Sequence, residues 1–336
     1  MANWYSVPAK ENDIVVSSRI RLARNLKNIP FPSYMSDEKR KEVNDKIKNA
    51  ILQSDTPFAK TLKFISMEDV PENEIYAMVE RHIISPEFAK NTEGRAIIIS
   101  EDESVCVMIG EEDHIRIQVI YPGLDLEKAY DIAGQLDDLL ASKLEFAFDE
   151  QLGYLTECPT NLGTGLRASV MLHLPLLEGS GNVNEIAETI GKLGFTVRGM
   201  YGEGSKSKAS LYQISNQITL GITEKNAIDN LLVIARQLIE KERNERNSVD
   251  KIKLEDMVWR AYGTLKNQRI LSSDEMMKLI SRLKIGTAME ILPFGNTLPM
   301  EILIETQPYM LCRKCGEKSP MERDILRAKT VRNMIP

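Results

Sequence analysis

The segment ECPTNLGTGLRASVML, residues 157–172, is the most informative in the chain. Its glycines, Gly163 and Gly165, flank a threonine and precede an apolar segment, as in loops that bind phosphate. A nucleotide-binding P-loop would read GxxxxGKS or GxxxxGKT and would open a helix. Here the lysine is absent, and the alternation of residues 166–174 predicts a strand with Arg167 near its start. The segment therefore predicts a loop with a cysteine at one end and an arginine at the other, leading into a strand.

Neighbouring segments predict an antiparallel sheet flanked by helices. RAIIIS and SVCVMI are rich in β-branched residues, and GEED at 110–113 turns the second of them into HIRIQVIY, which gives a hairpin. Two more strands are predicted in FTVRGMYGEGSKSKASLYQISNQ, on either side of a loop rich in Gly and Ser. SDEKRKEVNDKIKNAIL, capped by Ser36, and DLEKAYDIAGQLDDLLASKL have the apolar spacing of helices.

The character of the chain changes after TEKNAIDNLLVIARQLIEKERNERN, where a helix ends in a charged segment. Everything from about residue 250 onward is predicted to be helical. We place a boundary within 245–252, which gives an α+β domain over residues 1–248 and a small all-α domain over residues 249–336.

Composition excludes several classes of function. The 336 residues carry a formal net charge of -6, so no global attraction to nucleic acid is expected. The longest apolar segments are too short to span a membrane, and the N-terminal residues do not resemble a signal peptide. The four cysteines are too few for a disulfide scaffold, so we expect a cytoplasmic protein. They are Cys106, Cys158, Cys312 and Cys315.

Several arginines stand where a predicted strand begins or where its polar face points. They are Arg19, Arg21, Arg116, Arg167 and Arg198. The guanidinium group is always charged, and its planar fork binds phosphate oxygens in pairs. Any one of these arginines alone is as easily explained by a surface position or a structural ion pair.

The sequences around the arginines resemble the signature blocks of the phosphagen (guanidino) kinases, the superfamily of creatine and arginine kinases. SSRIRLARN, GEEDHIRIQ, ECPTNLGTGLRASV and VRGMYGEGS occur in that order over residues 14–215, and CPTNLGTG is highly specific. The resemblance implies a phosphagen-kinase-like catalytic domain built on an antiparallel sheet flanked by helices. It also implies ATP as the phosphoryl donor, together with Mg²⁺ held by phosphate oxygens and water rather than by a protein metal site.

The resemblance further implies a set of nucleotide-binding residues, in which the arginines bind phosphate and His82 packs on the adenine. A core or surface position is the alternative for this histidine. The set is Ser17, Ser18, Arg19, Ile20, Arg21, His82, Arg116, Arg167, Ala168, Ser169, Val170, Met171, Arg198, Gly199, Met200, Tyr201 and Gly202.

Three more residues match catalytic positions of the superfamily. Carboxylates can bind a guanidinium as a fork, align one nitrogen with the phosphorus and take its proton. The resemblance assigns Glu112 as the principal base and Glu203 as a second orienting carboxylate. It assigns Cys158 an orienting role beside the guanidinium; taken alone, this cysteine would be read as an inert residue.

Two features indicate which kinase of the superfamily this is. The first arginine block starts at residue 17, which leaves no room for the N-terminal helical domain of the small-molecule kinases, and a helical segment follows the catalytic domain. This architecture resembles the bacterial protein-arginine kinases of the McsB type. The resemblance implies protein substrates with exposed arginines, an activator protein, Clp-type proteases in stress response, and a homodimer. The alternatives are a kinase for free arginine and a non-catalytic adaptor that binds phosphoarginine.

The C-terminal segment contains two short motifs. ERDILRA at 322–328 matches the RDxxRA motif that forms an allosteric phosphoarginine pocket in those kinases, which implicates Arg323, Asp324, Arg327 and Ala328. CRKCG at 312–316 is a CxxC without a partner motif. Ordinary thiols, a redox pair or half of a zinc site are the interpretations left open.

Overall fold

The computed structural model describes residues 3–56, 59–199 and 209–336. Within these ranges the strands are β1 Val15–Arg24, β2 Leu62–Ser66, β3 Ala96–Ser100, β4 Val105–Ile109, β5 Ile115–Pro122, β6 Phe148–Asp149, β7 Gly153–Tyr154, β8 Leu166–His173, β9 Phe195–Gly199 and β10 Leu211–Asn216. Eight of them form one sheet in the order β2-β3-β4-β5-β1-β8-β10-β9, while β6 and β7 form a small hairpin. Every pairing in the large sheet is antiparallel.

The helices of the described ranges are α1 Asp37–Leu52, α2 Glu72–Glu80, α3 Pro86–Ala89, α4 Leu126–Ala141, α5 Pro175–Gly179, α6 Val183–Lys192, α7 Glu224–Ser248, α8 Lys251–Asn267, α9 Ser273–Ala288, α10 Leu298–Glu305, α11 Pro308–Cys315 and α12 Pro320–Met334. A 3-10 turn at Trp4–Ser6 precedes them. The predicted cap of α1 is present, because the Ser36 side chain accepts a hydrogen bond from the Lys39 amide. The predicted α+β class is confirmed.

The central strand β1 separates two environments by alternation. From Ser18 onward its even-numbered residues, such as Ile20 and Leu22, are buried in the core, against which α4 packs. Its odd-numbered residues include Arg19 and Arg21 and belong to the opposite face of the sheet. The sheet therefore presents one apolar face to α4 and one polar face to a cleft.

Helices α8, α9, α10 and α12 form a second core that reaches back to the sheet. Trp4 and Met171 lie in the same buried cluster as Met300 of α10. The Tyr5 hydroxyl donates to Glu305 at 2.7 Å, and the Glu80 carboxylate accepts the amides of Tyr309 and Met310 at the start of α11. The N-terminal turn and α2 thus attach the helical segment to the sheet. No helix within the described ranges is long and apolar enough to cross a membrane.

One contact of α9 is electrostatically costly. Lys284 is buried, and its Nζ donates to the Asn12 carbonyl at 2.8 Å. Burial, reinforced by the charge of Arg246, lowers the pKa of Lys284 from its ordinary value of 10.5 to about 7. Between these two values the unfolded chain binds more protons than the folded one, so this lysine makes stability rise with pH.

Lys284→Met is expected to stabilise the fold most at pH 7 and below. The gain should shrink by up to about 1.4 kcal/mol per pH unit as the pH rises toward 10.5, because the wild-type lysine becomes neutral in the folded state. Urea denaturation at pH 6.5 and pH 9 measures the difference, with the exposed Lys278→Met on the same helix as control. An equal gain at both pH values would contradict the burial argument.

Candidate functional site: an arginine-lined cleft on the sheet

Arginines from three neighbouring strands meet on the polar face of the sheet. In the β1–β8 register Arg21 lies directly opposite Arg167, and in the β1–β5 register Ala23 lies opposite Arg116. Like charges placed directly opposite each other destabilise a sheet. This arrangement therefore indicates a binding site for an anion that offsets the repulsion.

The electrostatics of these arginines support the same interpretation. Burial and the neighbouring cations Arg167 and Arg116 lower the pKa of Arg19 to about 10, and burial followed by the charge of Arg19 lowers the pKa of Arg21. Nε of Arg21 is buried and has no hydrogen-bond acceptor in the described part of the chain. A bound polyanion would relieve both the repulsion and the unsatisfied donor.

A narrow cavity adjoins this arginine cluster at His82. Its walls come from β1, β5, β8 and β10, and also from Trp4 and from Met300 of α10. Burial, followed by the charge of Arg19, lowers the pKa of His82 to about 4, so the imidazole is neutral at pH 7. Arg19 lies between the cavity and the cleft, where its Nη2 donates to Oε1 of Gln213 at 2.6 Å. The cavity thus places the apolar surfaces of Trp4 and Met300 and the neutral imidazole ring of His82 beside the positively charged Arg19.

Two acids hold Arg116 from the turn between β4 and β5. Nη1 of Arg116 pairs with Glu111 at 2.5 Å, and Nη2 pairs with Glu112 at 3.0 Å. Glu111 is buried and also accepts the Ser85 hydroxyl. Glu112 is more exposed and lines the cleft. The structure thus brings Glu112 and Arg116 together and adds Glu111 as a buried support for Arg116.

Cys158 lies at the same cleft, at the start of the loop that ends in β8. Its Sγ is 3.0 Å from the Thr160 hydroxyl. Gly163 has a φ of +106° and passes so close to Thr219 that a Cβ there would be 2.3 Å from the Thr219 carbonyl oxygen. Gly165 has a φ of +62°, and a Cβ there would be 2.6 Å from the Ala23 carbonyl oxygen. The glycines therefore let the loop lie flat between β1 and the segment after β10.

Arg24 holds this loop in place. Its guanidinium forms a fork with Asp137 of α4, with Nε–Oδ1 at 3.0 Å and Nη2–Oδ2 at 2.7 Å. Nη1 donates to the Thr164 carbonyl at 3.0 Å, and the group stacks 3.5 Å from the centroid of the Tyr154 ring. This buried arginine was not predicted as part of the site, although it stands in the first arginine block.

The cleft of about 590 Å³ is the size of a small-molecule site. Its lining residues are Arg21, Ala23, Glu87, Glu112, Arg116, Cys158, Thr160, Asn161, Gly165, Arg167, Arg198 and Gln217. Glu87, Asn161 and Gln217 were not predicted from the sequence. Among the described residues, no group of three or more His, Cys, Asp or Glu side chains could hold a metal ion.

The remaining predicted nucleotide residues divide by strand face. Ser17, Ser169 and Met171 line the narrow cavity, and Arg198 of β9 lines the cleft. Four other side chains belong to the buried face and do not line the cleft, because adjacent residues of a strand point to opposite sides. They are Ser18, Ile20, Ala168 and Val170. Gly199 ends β9, whereas Met200, Tyr201, Gly202 and Glu203 lie outside the described residues.

The C-terminal motif lies on α12, away from the cleft. Arg327 is buried, and its guanidinium donates to the carbonyls of Thr306 at 2.9 Å and Leu271 at 2.8 Å and to Asp324. Arg323 and Asp324 are partly exposed, and Ala328 is buried. Arg327 thus joins α12 to the ends of neighbouring helices. Of the CxxC pair on α11, Cys312 is buried and Cys315 is exposed, and both are free thiols.

Together, the sheet topology and the arginine-lined cleft define a class of enzyme: phosphotransferases that act between a nucleotide and a guanidino group. The model of the ATP:guanido phosphotransferase C-terminal catalytic domain matches residues 42–245, and that of the protein-arginine kinase McsB C-terminal domain matches residues 251–336. The chain belongs to the ATP:guanido phosphotransferase family and, within it, to the group of the protein-arginine kinases.

Relatives over the full length support this membership. The protein-arginine kinase of Halothermothrix orenii is 44% identical over 100% of this chain and 97% of its own length. That of Bacillus subtilis is 42% identical over 100% of this chain and 93% of its own length.

Solved structures share the fold. Among them, lombricine kinase has a TM-score of 0.63 at 22% identity over 74% of this chain and 71% of its own. The duplicated taurocyamine kinase of Schistosoma mansoni has a TM-score of 0.63 at 26% identity over 79% of this chain and 41% of its own.

Proposed function

We propose that the protein transfers the γ-phosphoryl group of ATP to arginine side chains of proteins. The observation that carries the proposal is the register of β1 and β8, which places Arg21 directly opposite Arg167 on the polar face of the sheet. An anion such as a nucleotide triphosphate between the two guanidinium groups would offset their repulsion. The relatives named protein-arginine kinases supply the class of acceptor.

In this mechanism the phosphates lie against Arg19, Arg21, Arg116, Arg167 and Arg198. Phosphoryl transfer passes through a loose transition state, so catalysis consists mainly of positioning and charge stabilisation. The arginines are held by the sheet and lose little entropy on binding. His82, with Trp4 and Met300, packs against the nucleobase in this proposal, for which the narrow cavity of about 20 Å³ must widen.

The acceptor guanidinium enters on the Glu112 side of the cleft. A protonated guanidinium is a poor nucleophile, so the attacking nitrogen must lose a proton as its bond to the γ-phosphorus forms and the bond from that phosphorus to the leaving ADP breaks. Glu112 accepts that proton and fixes the orientation of the nitrogen. Cys158 lines the same cleft and orients the guanidinium. Glu203 is proposed as the second carboxylate on the basis of its motif.

Mg²⁺ fits this site as a companion of ATP rather than as a protein-held metal, given the donor set of the cleft. The acids that line the cleft in the described part of the chain are Glu87 and Glu112, which already pair with Lys90 and Arg116. Phosphate oxygens and water would hold the ion, which would neutralise part of the phosphate charge.

Further proposals concern regulation and context. We propose that residues 1–248 form the catalytic domain and that residues 249–336 form a C-terminal domain with a phosphoarginine pocket at Arg323, Asp324, Arg327 and Ala328. Partly exposed Arg323 would be its phosphate ligand, whereas Arg327 would support it through Asp324. We also propose a cytoplasmic homodimer that responds to an activator protein and marks proteins for Clp-type proteolysis under stress.

A competition reaction tests the acceptor class. Enzyme and labelled ATP are mixed with an unfolded arginine-containing protein and an excess of free arginine. The label is expected on the protein, because the proposed acceptor is a polypeptide-borne guanidinium. Transfer to free arginine alone would identify a small-molecule kinase instead.

Met300→Ala is expected to weaken ATP binding about tenfold while leaving inorganic tripolyphosphate binding unchanged. The side chain contacts only the nucleobase end of the proposed site, and a tenfold loss corresponds to about 1.4 kcal/mol of contact energy. Met277→Ala is the matched control, since both methionines are buried in the same C-terminal cluster and Met277 is not among the residues lining the cavity. Equal weakening of both ligands in Met300→Ala would contradict this placement of the base.

A further inference from the structure

Three large aliphatic side chains lie exposed beside the cleft. Leu193 follows α6, and Ile218 and Leu220 lie in the segment between β10 and α7. A Cβ built on Gly194 would be 2.4 Å from Cδ1 of Ile218, so Ile218 lies against the backbone next to Leu193. We call Leu193, Ile218 and Leu220 the rim patch.

The rim patch is continuous with the cleft. Gln217, which precedes Ile218, lines the cleft, and its backbone N–H donates to the Gly194 carbonyl at 2.9 Å. The buried Thr219 hydroxyl donates to the carbonyls of Leu162 at 2.7 Å and Thr160 at 3.1 Å, and Thr160 also lines the cleft. Gln217 and Thr219 thus hold this segment to the cleft wall, whereas the side chains of Ile218 and Leu220 remain exposed.

A contiguous exposed apolar patch beside a binding cleft is a common feature of surfaces that bind an apolar partner. The segment that carries them is anchored on both sides by hydrogen bonds, and Leu220 lies next to Gly163, where a Cβ would be 2.8 Å from the Leu220 Cα. The rim patch is therefore a fixed surface attached to the wall of the site.

We propose that the rim patch binds an apolar side chain of the substrate polypeptide close to the target arginine. The inference rests on the proposed function, in which the arginine of a polypeptide enters the cleft. An extended chain advances about 3.3 Å per residue, so residues that flank the arginine must cross the cleft rim. Unfolded polypeptides expose apolar side chains that free arginine lacks. The patch would therefore favour arginines in apolar segments.

Two peptides with one arginine each test the proposal, one with leucines and one with serines on both sides of the arginine. Wild-type enzyme is expected to have a kcat/KM about tenfold higher for the leucine peptide, mainly through KM. In the double variant Ile218→Ser/Leu220→Ser this ratio should fall close to one, while the KM for ATP and the rate on the serine peptide stay unchanged. Ile270→Ser is the matched control, because Ile270 is 52% exposed and Ile218 is 51% exposed.

Two results would overturn the proposal. The first is a double variant that keeps the wild-type preference for the leucine peptide; if this variant also sediments as a smaller species than the wild type, the patch is a contact between copies of the chain. The second is a wild-type enzyme that labels neither peptide. That result would reject the proposed function as well as the binding of peptides at the rim patch, and the wild-type rate alone distinguishes it from the first.

Discussion

Glu112→Gln is expected to lower kcat for arginine phosphorylation by about a hundredfold to ten-thousandfold, the usual contribution of a positioned general base. Glutamine keeps the size of the side chain and can still accept the Arg116 hydrogen bond that Glu112 receives at 3.0 Å. It cannot take a proton from the attacking nitrogen. The affinity for ATP should change little, because the phosphates are assigned to the arginines of the sheet. Single-turnover rates and ATP binding, measured separately, test both statements.

Glu145→Gln is the control for this substitution. Glu145 is an exposed acid of the same domain that pairs with Lys27, so its loss should leave kcat unchanged. A Glu112→Gln enzyme with wild-type kcat would show that the proton leaves by another route.

Arg24→Ala is expected to destabilise the fold by about 3–5 kcal/mol, the typical effect of removing one partner from a buried ion pair. Its side chain is 1% exposed, and its loss leaves Asp137 of α4 without its fork. The Thr164 carbonyl also loses its donor, so the loop that carries Cys158 should loosen. Urea denaturation measures the first effect, and kcat of the remaining folded enzyme measures the second.

The exposed pair of Arg260 and Asp256 provides the comparison for Arg24. Arg260 has a 76% exposed side chain and pairs with Asp256 one helical turn earlier. Arg260→Ala should leave the free energy of unfolding almost unchanged, because exposed ion pairs contribute little to stability. A similarly small loss of stability in Arg24→Ala would mean that the buried ion pair of Arg24 and Asp137 contributes little to holding the loop.

Local patterns predicted the elements of the fold well. The Ser36 cap, the hairpin of β4 and β5 and the shared face of Arg19 and Arg21 all depend on residues close together in sequence. The register that sets Arg21 opposite Arg167 joins two distant strands, and no local pattern specifies it. The sequence therefore indicates which arginines share a face of one strand, whereas the register between strands determines which arginines lie opposite each other.

The residues of the candidate site could likewise be predicted only in part from local patterns. Transfer of whole motifs assigned Ser18, Ile20, Ala168 and Val170 to the nucleotide, although strand alternation places their side chains on the buried face. The alternation in β10 could have indicated Gln213, which pairs with Arg19. Trp4 and Met300 carry no such signal, since they reach the narrow cavity only through the packing of the C-terminal helices on the N-terminal turn.

Phosphosite mapping tests the central claim most directly. The enzyme is incubated with ATP and an unfolded protein, and the products are analysed by mass spectrometry without acid, because the bond between nitrogen and phosphorus is acid-labile. Phosphoarginine is expected on the protein with wild-type enzyme, and almost none with Glu112→Gln. Phosphate on serine, threonine or tyrosine, or no phosphate on the protein at all, would contradict it.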